Sequence, residues 1–289
     1  MNVEHVLTVG NVIGEGPRWH SAEQRLYWVD FIENQNIHSW SPLTGELHTY
    51  PTPSPVTALG FRRDGQLLVA TRGEVAIFDL AARSLSSVAT LEQGPPKRLN
   101  DGAVDARGRF WVGSMNAEKQ QEPEGSLYRL DPDGRVQSMD TGFTVSNGMG
   151  WSPDQQVFYF IDTFRWAVYA YDYSAELGTI GNRRIFAQCE RSDGFPDGMA
   201  VDAAGNVLVA FWGGWKIIRF LPDGRREREI RFPVANATAC AFGGANLDEL
   251  YVTTAKLGLS PAERAQQPLA GDLFRVKMDI PGQQEPCFG

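Results

Sequence analysis

The strongest constraint on the fold is a short phrase that occurs six times along the chain. Each copy begins with a polar residue, continues with glycine or alanine, and leads into a short apolar run. The intervals between successive copies are 42, 44, 46, 50 and 41 residues. A repeat of roughly 40–50 residues with strands inside each unit is typical of a β-propeller blade. The six polar residues are Glu15, Thr57, Asp101, Asn147, Asp197 and Thr238.

Each repeat predicts four strands. The phrase forms the innermost strand, a turn follows, and the next strand is rich in aromatic and β-branched residues. The sixth repeat lacks an outer strand because residues 281–284 break the pattern, whereas residues 5–9 provide a spare strand before the first repeat. If the spare N-terminal strand pairs with the last repeat, the ring closes and no sheet edge stays open. We therefore predict an all-β, six-bladed β-propeller closed by the N-terminal strand, forming one domain over residues 1–289.

The polar residues of the repeat are expected to meet, because the innermost strands of a propeller begin on one face beside the central channel. Glu15, Asp101, Asn147 and Asp197 should converge there. The carboxylates of Glu15 and Asp197 and the amide oxygen of Asn147 make a hard oxygen site for a divalent cation. Without a cation, the two carboxylates would repel each other and one would take up a proton. The alternative is that each residue only begins a strand and binds nearby backbone.

The loops expected on the same face are unequal in length. They cover residues 115–125, 164–166, 213–215 and 255–270, and the last is predicted to be partly helical around residues 260–264. Unequal loops on one face of a regular scaffold indicate a binding site.

Composition and charge exclude several classes of function. The formal charge of -8 and the pI near 5.1 argue against a nucleic-acid partner. No apolar run approaches the ~20 residues of a membrane span, and the first residues lack the basic and apolar segments of a signal peptide. The three cysteines lack metal-type spacing and are expected to be reduced thiols. We therefore expect a cytoplasmic protein that binds neither nucleic acid nor membranes.

The sequence also gives no support for a serine triad or for a phosphate-binding loop. The four histidines all lie within the first 48 residues, and none accompanies a Gly-x-Ser-x-Gly turn, which argues against a serine triad. The glycine pair Gly213-Gly214 lacks the lysine and the helix of a phosphate-binding loop.

Four motifs at propeller spacing resemble a known family. They are Gly14-Glu15-Gly16-Pro17, Arg98-Leu99-Asn100-Asp101-Gly102, Ser146-Asn147-Gly148 and Pro196-Asp197-Gly198. The chain is similar in these motifs, and over essentially its whole length, to the senescence-marker-protein-30/gluconolactonase (regucalcin-like) family. The resemblance implies one divalent metal ion held by Glu15, Asn147 and Asp197. It also implies substrate contacts by Arg98, Asn100 and Glu118, with Glu122 and Glu124 as alternatives to Glu118.

The resemblance implies that the protein is a carboxylic ester hydrolase that hydrolyses a sugar lactone. The substrate would be an aldono-1,4- or 1,5-lactone, and the reaction would belong to bacterial sugar catabolism. The cation is Ca²⁺, Mg²⁺, Mn²⁺, Zn²⁺ or Fe²⁺, and it would polarise the lactone carbonyl. Asp197 is the candidate general base, with hydroxide on the cation as the alternative nucleophile. The candidate ring faces for a carbohydrate are Trp19, Phe164, Trp166 and Trp212, and packing between blades is the alternative role for each.

Three other functions remain open at this point. The first is a non-catalytic protein that binds calcium or another divalent metal in regulation. The second is hydrolysis of other lactones or of phosphotriesters on the same scaffold, although Arg98, Asn100 and Glu118 favour a small polyhydroxylated ligand over an apolar ester. The third is a protein-interaction platform, which predicts an exposed hydrophobic patch on one face.

Overall fold

The computed structural model describes residues 2–289, which form 25 strands, one α-helix and two 3-10 turns. Six sheets follow one another around a ring, each built on four antiparallel strands. The first sheet contains β2 (Gly14–His20), β3 (Arg25–Asp30), β4 (Asn36–Trp40) and β5 (Leu47–Pro51). The second contains β6 (Ala58–Arg62), β7 (Leu67–Ala70), β8 (Glu74–Asp79) and β9 (Ser84–Thr90). The third contains β10 (Lys97–Val104), β11 (Phe110–Asn116), β12 (Gly125–Leu130) and β13 (Val136–Phe143).

The remaining sheets complete the ring. The fourth contains β14 (Ser146–Trp151), β15 (Val157–Asp162), β16 (Ala167–Ser174) and β17 (Thr179–Gln188). The fifth contains β18 (Phe195–Val201), β19 (Val207–Trp212), β20 (Lys216–Phe220) and β21 (Arg226–Arg231). The sixth contains β22 (Ala237–Gly243), β23 (Glu249–Thr254), β24 (Leu273–Lys277) and the N-terminal β1 (Val3–Leu7). The helix α1 (Pro261–Gln266) lies in the predicted long loop and is capped by Ser260.

The ring closes as the sequence predicts. Each innermost strand contacts the next one around the channel, and β22 of the last sheet contacts β2 of the first. In the sixth sheet, β1 pairs antiparallel with β24, placing Val3 opposite Val276 and His5 opposite Phe274. This confirms the predicted all-β, six-bladed propeller and its closure by the N-terminal strand.

The core lies between neighbouring blades. The second strand of each blade is almost entirely buried and packs large side chains against the next sheet. For example, Trp19 of the first blade stacks on Tyr251 of the sixth, with ring centroids 5.6 Å apart. Full burial of one large apolar side chain stabilises a fold by about 1.5–3 kcal/mol. No helix among residues 2–289 is long and apolar enough to cross a membrane.

The last residues form an element that the sequence does not predict. We call residues 279–289 the C-terminal tail, and we call the face on which the innermost strands end the lower face. The tail crosses the lower face and ends in β25 (Cys287–Phe288), which pairs in parallel with β6. Its partners come from all six blades: Arg18, Phe61, Gly108, Trp151, Ala203 and Leu247.

Candidate functional site

A local irregularity of the innermost strand lies beside the polar residue in most repeats. In five of the six innermost strands the pairing register shifts at or next to this residue, as between Glu15 and Arg18 in β2 and between Pro196 and Met199 in β18. A β-bulge of this kind leaves a residue unpaired and redirects its side chain. The glycine that follows is required by space, because a Cβ on Gly148 would lie 2.6 Å from the backbone nitrogen of Met199.

These residues meet in one cavity at the upper end of the channel. The cavity has a volume of about 310 Å³, and five of the six repeat positions line it: Glu15, Thr57, Asp101, Asn147 and Asp197. The sixth, Thr238, does not line the cavity; its hydroxyl donates to the Gly14 carbonyl, which is the structural role that the sequence offered as the alternative.

Asn147 and Asp197 are joined directly. The Asn147 Nδ2 donates to Asp197 Oδ1 at 2.6 Å and to Thr163 Oγ1 at 3.1 Å. Thr163 in turn donates to the carbonyl of Pro196 at 2.9 Å. These hydrogen bonds use the nitrogen of the Asn147 amide and leave its Oδ1 available to bind a ligand. Thr163 was not predicted from the sequence; its place directly after a buried second strand is the only signal that points to it.

The carboxylates of the cavity are crowded and poorly solvated. Burial raises the pKa of Glu15 well above its ordinary value, and repulsion from Asp197 and Asp101 raises it further. Burial also raises the pKa of Asp197 well above its usual range, although the hydrogen bond from Asn147 opposes the shift. Burial raises the pKa of Asp101, and the nearby Arg18 opposes it. The arrangement disfavours three negative charges without a compensating cation.

The donor set fits a hard divalent cation. It offers two carboxylates and one amide oxygen, which are the ligands such ions prefer. Among residues 2–289, no group of three or more His, Cys, Asp or Glu side chains is arranged to hold a metal, and the proposed ligand set includes the amide of Asn147. Burial raises the pKa of Glu15 and of Asp197, so a cation bound between them would offset the cost of their negative charges.

Arg98 and Asn100 lie on the wall of the same cavity. Arg98 Nη1 donates to Asn100 Oδ1 at 2.6 Å, and its guanidinium lies 5.4 Å from the ring centre of Phe31. Asn100 Nδ2 donates to the carbonyl of Ser146 at 2.8 Å. Burial lowers the pKa of Arg98 to about 10, while Glu15 and Asp197 oppose that shift, so the group stays positively charged at neutral pH. The pair is therefore held rigidly beside the carboxylates.

Glu118 occupies a different position from these two. It is exposed and lines an adjoining cavity of about 580 Å³ that shares Arg98 with the first. Gln120, two residues further on, lines both cavities. Glu122 and Glu124 are the alternatives to Glu118 in this loop. Of these two, Glu124 accepts a hydrogen bond from Asn116 Nδ2 at 3.0 Å. The substrate role of Glu118 stays a prediction, and Gln120 is an additional candidate that the sequence did not single out.

Only some of the aromatic side chains that were candidates for contact with a carbohydrate line the cavity. Phe164 and Trp212 line the cavity, together with Phe31 and Phe195, which the sequence analysis missed. Trp19 has the alternative role, packing between blades, because this side chain is only 1% exposed and stacks on Tyr251. Trp166 does not line the cavity either; its ring packs on Phe195 at 5.1 Å and beneath Arg191 at 4.3 Å.

The fold and this cavity together define a six-bladed propeller with a carboxylate-lined polar site at one end of its channel. A family model described as SMP-30/Gluconolactonase/LRE-like region matches residues 13–256. The chain belongs to this family, as its motifs predict.

Relatives share nearly the whole chain. Pentonolactonase XacC of Haloferax volcanii is 37% identical over 292 residues, covering 99% of this chain and 97% of its own. Regucalcin of Danio rerio is 36% identical over 278 residues, covering 96% and 94%. Among solved structures, a regucalcin from Agrobacterium tumefaciens described as a calcium-binding protein superposes with a TM-score of 0.94 at 26% identity, covering 99% and 96%.

Proposed function

We propose that the protein hydrolyses a sugar lactone with the help of one divalent cation bound by Glu15, Asn147 and Asp197. The observation that carries the proposal is the pair of buried carboxylates with raised pKa values, set beside an amide oxygen in a cavity that also contains Arg98 and Asn100. Family membership and the likeness to a pentonolactonase support an aldonolactone as the substrate.

Asp197 is proposed as the general base. Its Oδ1 accepts the hydrogen bond from Asn147, and its Oδ2 has no hydrogen-bond partner within residues 2–289. Oδ2 can therefore take a proton from a water molecule as that water adds to the lactone carbonyl carbon. The ring C–O bond then breaks, and the leaving oxygen takes up a proton to give the hydroxy acid. When bound, the cation supplies Lewis-acid polarisation of the carbonyl oxygen.

Arg98 and Asn100 are proposed to orient the sugar. Nη1 of Arg98 is used within the protein, whereas its Nε and Nη2 make no hydrogen bond within residues 2–289. These free donors suit the hydroxyl oxygens of a polyhydroxylated ring. Phe31, Phe164 and Trp212 add apolar surface for its C–H face. Glu118 is retained as a proposed acceptor for a hydroxyl that extends into the adjoining cavity.

The reaction is proposed to serve sugar catabolism in the cytoplasm. Three cysteines that are unpaired in the described chain suit a reducing compartment. Carboxylate and amide oxygens accept Ca²⁺, Mg²⁺, Mn²⁺, Zn²⁺ and Fe²⁺, so the ligands do not select one cation. The experiment described next therefore tests each of these ions.

The decisive experiment is hydrolysis of pentono- and hexonolactones by metal-stripped protein to which each cation is returned in turn. Turnover should appear only with a divalent cation and should fall to background in Glu15→Gln. Asp172→Asn, which changes an exposed carboxylate on β16, is the control and should keep full activity. Turnover that persists in Glu15→Gln after metal removal would contradict the proposal.

A second candidate is cation binding without turnover. The likeness to a structure described as a calcium-binding protein favours it. It predicts that the stripped protein binds Ca²⁺ with one ion per chain, that Glu15→Gln abolishes this binding, and that no lactone of the panel is hydrolysed.

A further inference from the structure

The cavity that contains the buried carboxylates continues into a larger one. We call the cavity at the upper end of the channel the upper cavity, and the space of about 580 Å³ beside it the adjoining cavity. The two meet along side chains that line both of them, which are Phe31, Ile32, Thr57, Arg98 and Gln120. The upper cavity, at about 310 Å³, is at the lower end of the range for small-molecule pockets and suits a single sugar lactone. Such a ligand would leave the adjoining cavity unfilled.

Hydrogen bonds hold the walls of the adjoining cavity in place. Asn116 is only 2% exposed, and its Oδ1 accepts from the backbone nitrogens of Glu118 and Lys119 at 3.0 and 2.8 Å. On another wall, the backbone nitrogen of Leu99 donates to the carbonyl of Arg72 at 2.7 Å. The side chains of Glu118 and Arg72 therefore start from fixed backbone positions.

Opposite charges line the adjoining cavity without pairing. Arg72 is positive and Glu33 and Glu118 are negative, and none of these exposed side chains makes a hydrogen bond or an ion pair within residues 2–289. Elsewhere on the surface, an exposed arginine such as Arg184 pairs with Asp172 at 2.7 Å. Because the walls keep Arg72 apart from the two carboxylates, the polar atoms of all three side chains stay free for a molecule that lies between them.

The mixture of charges indicates the class of that molecule. A charged group would be repelled by the side chains of its own sign, whereas a hydroxyl can both accept from Arg72 and donate to Glu33 or Glu118. The cavity also has apolar walls, to which Phe31 and Pro96 contribute. A neutral ring with several hydroxyls and exposed C–H groups fits both kinds of surface.

We propose that the adjoining cavity is a subsite for a second sugar unit, and that the substrates include 4-O-glycosylated aldono-1,5-lactones such as cellobiono-1,5-lactone. The proposal rests on lactone hydrolysis in the upper cavity. In the six-membered ring of such a lactone, carbon 4 lies across the ring from the carbonyl carbon. When the carbonyl lies beside Glu15 and Asp197, a glycosyl group on oxygen 4 leaves the ring on the far side and passes Arg98 into the adjoining cavity. There Arg72 donates to hydroxyl oxygens of the second unit, and Glu33 accepts from its hydroxyls.

The first test compares cellobiono-1,5-lactone with glucono-1,5-lactone as substrates of the metal-loaded full chain. The two have the same reacting ring and differ only in the second glucosyl unit. Cellobionolactone should be hydrolysed with a KM at least about fivefold below that of gluconolactone, which corresponds to one net hydrogen bond to the second unit. A KM that is equal or higher would overturn the subsite and leave lactone hydrolysis itself intact.

Two variants locate the second sugar unit. Arg72→Met and Glu33→Met remove the polar head and keep a long side chain. Each should lower the ratio of kcat/KM for cellobionolactone to kcat/KM for gluconolactone by about fivefold. Arg107→Met and Glu176→Met are the matched controls, because these exposed side chains also lack a partner within residues 2–289 but lie outside both cavities. The controls should keep the wild-type ratio, and a wild-type ratio in Arg72→Met and Glu33→Met as well would overturn the subsite.

Calorimetric titration with the reaction products separates this inference from the proposed function. Cellobionate should bind to the metal-loaded chain at least about fivefold more tightly than gluconate, and Arg72→Met should remove most of that difference. If neither lactone is hydrolysed, the proposed function fails and the titration still decides about the subsite. Equal binding of the two anions would overturn it.

Discussion

The Nδ2 atom of Asn147 lies 2.6 Å from Oδ1 of Asp197, which joins the innermost strands of the fourth and fifth blades inside the channel. This bond uses the nitrogen of the Asn147 amide and one oxygen of the Asp197 carboxylate. In the proposed site, Oδ1 of Asn147 would bind the cation, and Oδ2 of Asp197 would bind the cation or a proton. Asn147 is 6% exposed and Asp197 is 7% exposed, so water does not substitute easily for either contact.

Asn147→Leu is expected to weaken the binding of the divalent cation by at least about tenfold, because a ligand oxygen and the donor that orients Asp197 are lost together. Calorimetric titration of stripped protein measures this. Thr163→Val, which removes the second partner of the Asn147 nitrogen at 3.1 Å and the bond to the Pro196 carbonyl but no proposed ligand, should have a smaller effect. Equal losses in the two variants would show that Asn147 orients neighbours and does not bind the ion.

Arg98→Ala is expected to lower kcat/KM for the lactone by roughly tenfold to a hundredfold, mainly through KM, because a charged hydrogen-bond donor to the substrate is lost. Arg98→Lys should recover little, since a single ammonium does not reproduce the guanidinium fork. Arg191→Ala removes an arginine that also lies over an aromatic ring, 4.3 Å from Trp166, but does not line the cavity. It should retain wild-type kinetics, and a matching rise of KM in that control would refute a specific contact by Arg98.

His38 is expected to make stability depend on pH. Burial lowers its pKa to about 4 from an ordinary value of 6.5, as its ring stacks on Trp28. Between these values the unfolded chain binds a proton that the folded chain does not, so stability falls as pH drops from 6.5 to 4. The loss is about 3 kcal/mol at most. Urea unfolding at several pH values should show a shallower decline in His38→Phe than in the wild type, and an unchanged slope in that variant would contradict the prediction.

Gly282→Ala is expected to lower the free energy of unfolding by about 1–3 kcal/mol, the usual cost of overfilling a packed site. A Cβ at this position would lie 2.2 Å from Phe242, so the tail cannot keep its place on the lower face. Gly181→Ala is the control, because nothing lies within 4 Å of its added Cβ. Thermal unfolding of the two variants is the measurement; equal melting temperatures would mean that the tail contributes nothing to the stability of the ring.

The repeat made the architecture predictable. Six phrases at near-constant intervals determine six blades, and the missing outer strand of the last repeat indicates which end of the chain supplies it. The same periodicity placed Glu15, Asp101, Asn147 and Asp197 on one face, because every blade of a propeller orients its first strand alike.

Features that break the repeat were not predictable in this way. Gln120 and Glu118 lie in a loop whose course is set by its own sequence, so spacing alone could not tell which of them lines the upper cavity. The tail has no counterpart elsewhere in the chain, and its contacts depend on surfaces that exist only once all six blades are assembled. The sequence left two roles open for Trp19, because an aromatic in the innermost strand can face either the channel or the neighbouring blade.

The C-terminal tail and the N-terminal strand also determine when folding of the propeller can be completed. Strand β1 pairs with a segment that begins about 270 residues later, and β6 receives β25 from the far end of the chain. Each of these pairings can form only after its later partner, β24 or β25, has been synthesised. Until then β1 has no partner strand and the ring stays open, so ring closure has to follow the synthesis of the sixth blade.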